Sequence, residues 1–256
     1  TQQVAQCGFC AGRPGISFDL SNSRNNHRKL YELSTLPHII YDYIRRPDLV
    51  FYINGIAIGV LELKRSKVAI TEGIRQSISN QQPRFNEWFY PTVQLVMAGS
   101  DAEGLRYGTI GTPEPFFLTW KEDEEEDDGY KLDKYLSKMF EKSRLLELLH
   151  DFVLFDGGIK KLPRVHQYFG IKEAQAHVKR HEGGIIWHTQ GSGKSILMVL
   201  LSKWLLEQDS DARILVVTDR EELDKQISDV IRDTGVIGDS AAKPRIKSRA
   251  DLVEKL

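Results

Sequence analysis

"RRPDLVFYINGIAIGVLELKRS", residues 45–66, reads as a β-hairpin. Two apolar, β-branched-rich runs flank Asn54-Gly55, the strongest short-range turn signal. Charge gathers at the open end. Asp48 opens the first run, and Glu62 and Lys64 close the second. Two carboxylates at adjacent strand ends can hold a hard divalent cation such as Mg2+, with water completing its shell. Glu62 and Lys64, two apart on one strand, project from the same face. The lysine can then lower the pKa of a metal-bound water or stabilise charge on a phosphate. This is equipment for metal-assisted hydrolysis of a phosphodiester.

Register sets a condition on that chemistry. A two-residue turn at Asn54-Gly55 pairs Ile53 with Ile56, and a regular ladder then pairs Asp48 with Leu61. Paired residues share a face, so Asp48 would point away from Glu62. The site requires a one-residue irregularity, at Gly59 or in the turn itself with Gly55 in αL, or strands that splay at the open end.

A second chemical signal lies far downstream, in "HTQGSGKS" (188–195). The pattern predicts a strand before it, "GIIW" (184–187), and a helix after it, "KSILMVLLSKWLLEQ" (194–208), the setting that a phosphate-binding loop requires. Gly191 and Gly193 let the backbone turn its N–H groups toward a nucleotide's phosphates. Lys194 adds a point charge at the β/γ-phosphates, and the Ser195 hydroxyl can join the Mg2+ shell of bound ATP. The strict loop pattern begins with Gly where this chain has His188. An acidic pair for ATP hydrolysis is harder to find. Asp219, after the predicted strand "RILVVTD" (213–219), is the one candidate, so the sequence supports ATP binding but not turnover.

The rest organises around these two territories. The 256 residues suffice for one large or two ordinary domains, and 41% hydrophobic with 28% charged residues describes a globular protein. No apolar run is long enough to cross a bilayer. The net charge of −1 hides segregation: Arg24 to Arg84 holds ten Lys/Arg against five Asp/Glu, whereas 122–128 are seven consecutive acids. The basic stretch suits a polyanionic partner, and the acidic run a solvated loop. Cys7 and Cys10, in "CGFC", lack a second pair of zinc ligands and read as thiols of a reducing cytoplasm. Helices are expected over 68–89, broken near Pro83, then over 131–155 with Leu145, Leu146, Leu148 and Leu149 toward a core, over 171–181 and over 220–231. A buried strand is expected over 91–100, and turn-rich β structure over 106–122. The later alternation of strands and helices implies a parallel sheet of βαβ units.

Taken in order, "RRPDLVFYINGIAIGVLELKRS", "QLVMAGSDAEGLRYGTIGTPEPFFLTWKE", "FVLFDGGIKKLPRVHQYFGIKEA", "GGIIWHTQGSGKSILMVLLSKWL" and "ILVVTDREELDKQI" resemble the restriction (R) subunit of type I restriction–modification enzymes. The resemblance runs from about residue 40 to 231, and His188 is usual in that family. It implies an α/β chain with a PD-(D/E)xK nuclease-like mixed sheet over 1–128. The first part of a RecA-like, superfamily 2 motor domain would follow over 129–256. Asp48, Glu62 and Lys64 fall on the nuclease motif, with Asp48 and Glu62 as ligands of the nuclease Mg2+. Gln76 falls on the glutamine of a Q-x-x-x-Y motif, whose tyrosine slot here holds Asn80. Gln167 resembles the glutamine that reads adenine, and Thr189, Gln190, Gly191, Ser192, Gly193, Lys194 and Ser195 match motif I. Asp219 and Arg220 match the segment after motif I, which argues against a hydrolytic role for Asp219. Glu32 is a candidate for a further carboxylate. The resemblance implies an N-terminal fragment of a cytoplasmic, ATP- and Mg-dependent endonuclease and translocase. Its partners would be double-stranded DNA and the methyltransferase and specificity subunits, with no membrane involved. A stand-alone P-loop ATP-binding protein and a non-catalytic DNA-binding or assembly module with an inactive nuclease site are the alternatives.

Overall fold

A computed structural model of the chain describes residues 45–122, 130–234, 246 and 249–255. Glu32, Cys7, Cys10 and acidic residues 123–128 lie outside the described residues. The chain divides into two compact units. One comprises residues up to Leu154 together with Lys160–Gly184, the other Phe155–Ile159 with Ile185–Leu256.

The first unit is built on a five-stranded mixed sheet in the order β1-β2-β3-β4-β5. Its strands are β1 (Leu49–Ile53), β2 (Ile56–Lys64), β3 (Leu95–Ser100), β4 (Gly104–Gly108) and β5 (Leu118–Thr119). The turn that joins β1 to β2 has positive φ at both central residues, 49° at Asn54 and 80° at Gly55. This is the geometry whose twist matches a hairpin, which is why Asn-Gly is favoured there. β2 and β3 run parallel, and every other pairing in the sheet is antiparallel. A parallel pair needs a crossover. Helix α1 (Ile70–Asn80) and a 3-10 turn at Glu87–Thr92 supply it. The helix ends before Pro83, as the expected break requires.

Alternation along β2 and β3 sorts the side chains. Val60, Val96 and Ala98 meet Ile70 and Ile74 of α1 in a core that also takes in Tyr90, Val93 and Phe117. By the same alternation, Glu62 and Lys64 lie on the face that α1 covers.

Helices α2 (Lys131–Met139), α3 (Lys142–Asp151) and α4 (Val165–Lys179) belong to this unit too. The first compact unit therefore extends to Gly184. Aromatic packing ties these helices to the sheet. Tyr107 of β4 and Trp120 stack at 5.9 Å, Trp120 and Tyr168 of α4 at 5.8 Å, and the buried Tyr107 hydroxyl donates to the Pro163 carbonyl at 2.6 Å. Glu122, first of the acidic run, is drawn in as well, pairing with Arg144 at 2.5 Å. The amphipathic stretch 131–155 is two helices separated at Phe140-Glu141, the second capped by the Glu141 side chain. Leu145 and Leu148 are buried, but Leu146 faces solvent. Helix α4 starts at Val165, six residues before the expected 171, so "VHQYFG" is its first two turns.

The second unit contains α5 (Lys194–Gln208), α6 (Glu221–Asp233) and α7 (Arg249–Lys255). Val199 of α5 packs on Ile227 and Ile231 of α6. Here one expectation is corrected. Neither 184–187 nor 213–219 forms a strand, and the described residues contain no parallel sheet in this unit. Parallel strands read as continuous apolar runs because neighbours cover both faces. These two runs carry the apolar composition without such neighbours: Ile185 is 90% exposed, Trp187 89% and Val217 82%. A short ribbon of β6 (Leu154–Asp156) and β7 (Ile159–Lys161) completes the described strands.

Candidate active site

The hairpin does break its register. Ile53 faces Ile56 and Tyr52 faces Ala57, but Phe51 faces Gly59, leaving Ile58 as an extra residue on β2. Beyond this bulge, Val50 pairs with Val60 and Leu49 with Leu61, so the next position sets Asp48 against Glu62. The one-residue offset turns Asp48 onto the α1 face. Asp48 is fixed there by its Oδ2, which accepts the Leu63 backbone N–H at 2.7 Å.

Glu62 is only 1% exposed. Its Oε1 accepts from Asn80 Nδ2 at 2.8 Å, while Oε2 has no donor among the described residues. Desolvation pushes the Glu62 carboxyl up to about 8, with the neighbouring Asp48 carboxylate adding to the shift and Lys64 opposing it. Asp48 and Glu62 lie close enough to share a proton, and two ionised carboxylates there can only accept. A proton or a cation between them relieves that conflict, and the orphaned Oε2 is what a hard divalent cation would bind. These residues fit Mg2+.

Lys64 and Gln76 meet directly, Nζ donating to Oε1 at 2.6 Å. This contact needs α1 close to the sheet, and Gly73 permits it. A Cβ there would sit 3.2 Å from Lys64 Cγ and 3.1 Å from the Ala98 Cβ. The structure therefore brings Asp48, Glu62, Lys64 and Gln76 together. It adds Asn80, which the sequence treats only as a gap in a motif. Asn80 lies one helical turn after Gln76, on the same face, so helical spacing alone was a usable signal. Tyr90 is buried near Glu62, its hydroxyl without a partner among the described residues. Burial, and then the Glu62 charge, hold its phenol well above the usual range.

The second group of expected residues forms the turn that precedes α5. Gly191 and Gly193 have φ of 75° and 83°, left-handed values that a side chain would strain. Ser192 N–H donates to the Thr189 carbonyl at 3.4 Å. Lys194 Nζ folds back across the loop onto the carbonyls of His188 and Thr189, at 2.9 and 2.8 Å. Thr189, Gln190 and Ser195 accompany it, the first two exposed and Ser195 half-buried. Gln167 lies in the other unit. It is buried in the first turn of α4, where its Oε1 accepts the Arg164 N–H at 2.8 Å. Asp219 and Arg220 are exposed just before α6.

Paired carboxylates beside a lysine lie on one unit and a glycine-rich lysine loop opening a helix on the other, in a chain of the mixed α/β class. Two family descriptions match the chain in the same order, the type I restriction enzyme R protein N terminus over residues 19–116 and the SWI2/SNF2 ATPase over 166–256. Among curated proteins, the type I restriction enzyme HindI endonuclease subunit of Haemophilus influenzae is 31% identical over 206 residues. That match covers 72% of this chain and 19% of the relative. A Methanocaldococcus jannaschii chain, provisionally named the type I restriction enzyme MjaIXP endonuclease subunit, is 29% identical over 245 residues, 82% of this chain and 23% of its own length. The SsaAORF53P endonuclease subunit of Staphylococcus saprophyticus is 24% identical over 189 residues, covering 72% and 20%. The chain belongs to the family of type I restriction enzyme R subunits. It spans about a fifth to a quarter of the length of these relatives.

Proposed function

We propose that this chain carries the nuclease site and the ATP-binding loop of a type I restriction endonuclease subunit. The five-stranded unit is a PD-(D/E)xK nuclease fold, with its functional core in residues 1–128. The later residues, within 129–256, begin a RecA-like motor domain. In the working enzyme, DNA phosphodiester cleavage follows ATP-driven translocation. Methyltransferase and specificity subunits choose the double-stranded DNA, in the cytoplasm.

The bulge at Ile58 is the observation that carries the nuclease reading, because it places Asp48 opposite Glu62. Mg2+ held by these two carboxylates would supply Lewis acidity at the scissile phosphate. The chain's own residues do the rest. Asn80 holds one oxygen of Glu62 and leaves the other turned to the site. Gln76 holds the Lys64 ammonium, placing a positive charge for the phosphate oxygens. In the second unit, the Lys194 ammonium and the loop N–H groups would take the phosphates of ATP. Ser195 would contribute to its Mg2+ shell.

The test is made in the complete enzyme with its companion subunits. Lys64→Ala should abolish nicking of plasmid DNA while ATP hydrolysis continues. Nicking at the normal rate by that variant would end the nuclease reading.

A further inference from the structure

The arginines of the first unit differ in their partners. Arg75 pairs with Glu72 and Glu114, Arg144 with Glu122, and Arg180 with Glu182. Arg45 and Arg84 have no acidic partner among the described residues, and they share one aromatic ring. Their guanidinium carbons lie 3.8 and 4.7 Å from the Phe85 ring centroid. Stacking on an aromatic face stabilises each cation without neutralising it. Two like charges are thus held on one ring, and neither makes a salt bridge among the described residues. That arrangement favours an anion arriving from solution.

The pair is tied to the carboxylate site. Arg45 Nη1 donates to Ser79 Oγ at 2.8 Å, and its backbone N–H donates to Asn86 Oδ1 at 3.2 Å. Asn86, itself buried, returns a hydrogen bond from Nδ2 to the Arg45 carbonyl and donates its own N–H to the Asn80 carbonyl at 3.1 Å. Asn80 in turn holds Glu62. A continuous run of hydrogen bonds therefore joins Arg45 to Glu62. Arg45 stands three residues before Asp48, and exposed Arg65 directly follows Lys64.

We propose that Arg45 and Arg84, stacked on Phe85, form a fixed clamp for the DNA backbone phosphates beside the scissile one. This rests on the nuclease reading for its choice of DNA. A guanidinium already ordered by Ser79 and the Phe85 ring loses less freedom on binding than a loose one. Its planar fork suits phosphate oxygens. Contacts of this kind fix where the duplex lies without reading sequence.

The experiment measures binding of the 256-residue chain to a short fluorescent DNA duplex, by anisotropy across a salt series without divalent cations. Arg84→Ala and Arg45→Gln should each weaken binding several-fold and lower the slope of log affinity against log salt by about one. Arg75→Ala, exposed but acid-paired on α1, should leave the slope unchanged. Arg84 is exposed, so its variant decides the matter should Arg45→Gln fail to fold. Unchanged slopes in Arg84→Ala, an equal loss in Arg75→Ala, or no DNA binding by the parent chain would each overturn the clamp. Displacement of the DNA by an equal concentration of duplex RNA would overturn the choice of DNA. Glu62→Gln keeps the two readings apart. Persistent cleavage by that variant in the complete enzyme, alongside a reduced slope for Arg84→Ala, would sink the nuclease site and leave the clamp standing.

Discussion

The two units bring their charged groups together from opposite starting points. In the first, an open five-stranded sheet and its covering helix bury Glu62, and Asn80 and Leu63 fix the two acids one by one. In the second, the groups proposed to act are backbone N–H donors and the lysine that follows the glycine loop. The apolar runs on either side of its α5 helix lie open to solvent. A side-chain site depends on packing that puts each group in place. A loop site depends on φ angles that two glycines supply locally. The difference teaches that loop chemistry can be laid out before its sheet is, whereas hairpin chemistry cannot.

The sharpest way to break this contrast is to remove one site and look at the other. Lys194→Ala takes away the main cation of the loop, and ATP affinity should fall by at least about a hundredfold, measured by calorimetry. The same variant should leave Mn2+ binding at Asp48 and Glu62 unchanged, because those residues belong to the other compact unit. Loss of both together would show that the sites are coupled.

Asn80→Leu probes the dependence on packing. It deletes the donor to Glu62 Oε1 in a buried setting while keeping an apolar volume on the helix. Residues that orient a metal ligand in this way typically matter 10- to 100-fold in metal affinity, so Mn2+ affinity should fall by roughly that factor. Ser77→Ala supplies the control, since Ser77 is equally buried on α1 but donates to the Met97 carbonyl instead. It should lower the melting temperature without touching Mn2+ affinity.

A pH series sharpens the comparison further, because only the first site buries a carboxyl. The Glu62 carboxyl is raised from 4.5 to about 8 in the folded chain. Above 4.5 the unfolded chain releases this proton while the folded chain keeps it, so stability without metal should fall as pH rises toward about 8 and then level off. The total loss is of the order of several kcal/mol. Binding of a cation must expel the same proton, so Mn2+ affinity should climb by about tenfold per pH unit below that point. Glu62→Gln should flatten the stability profile in urea melts. A profile that stays sloped in that variant would place the titration elsewhere.

How much of this was legible in the residues differs between the units for the same reason. The hairpin, its turn and the need for a register break follow from two-residue alternation and the positions of Asp48 and Glu62. The irregularity expected at Gly59 or in the turn falls at Ile58, the residue beside Gly59, which alternation alone does not single out. Asn80 was hidden by a motif that expects another residue, although its spacing from Gln76 placed it on the site face. Helix α5 and the glycine loop are local, and local pattern found them, with α5 bounded at Lys194 and Gln208. The placement of α2–α4 on the first unit was not local. It depends on Tyr107, Trp120 and Tyr168 meeting across sixty residues of chain, which no periodicity signals.

The smallest expected effect bears on the open apolar runs. Val217, in the run 213–219, is 82% exposed, and a substitution at an exposed position with no special contact changes stability by less than about 0.5 kcal/mol. Val217→Thr keeps the branched shape and adds a hydroxyl that solvent can satisfy, so its urea midpoint should match that of the parent chain. Val96→Thr makes the same change inside the first unit's core, where Val96 is fully buried between β2, β4 and α1. There the hydroxyl must lose water without a partner, at a cost of about 1–3 kcal/mol. The identical exchange thus reads out burial alone. Equal losses at the two positions would mean that the run holding Val217 is covered in solution, as the core of the first unit is.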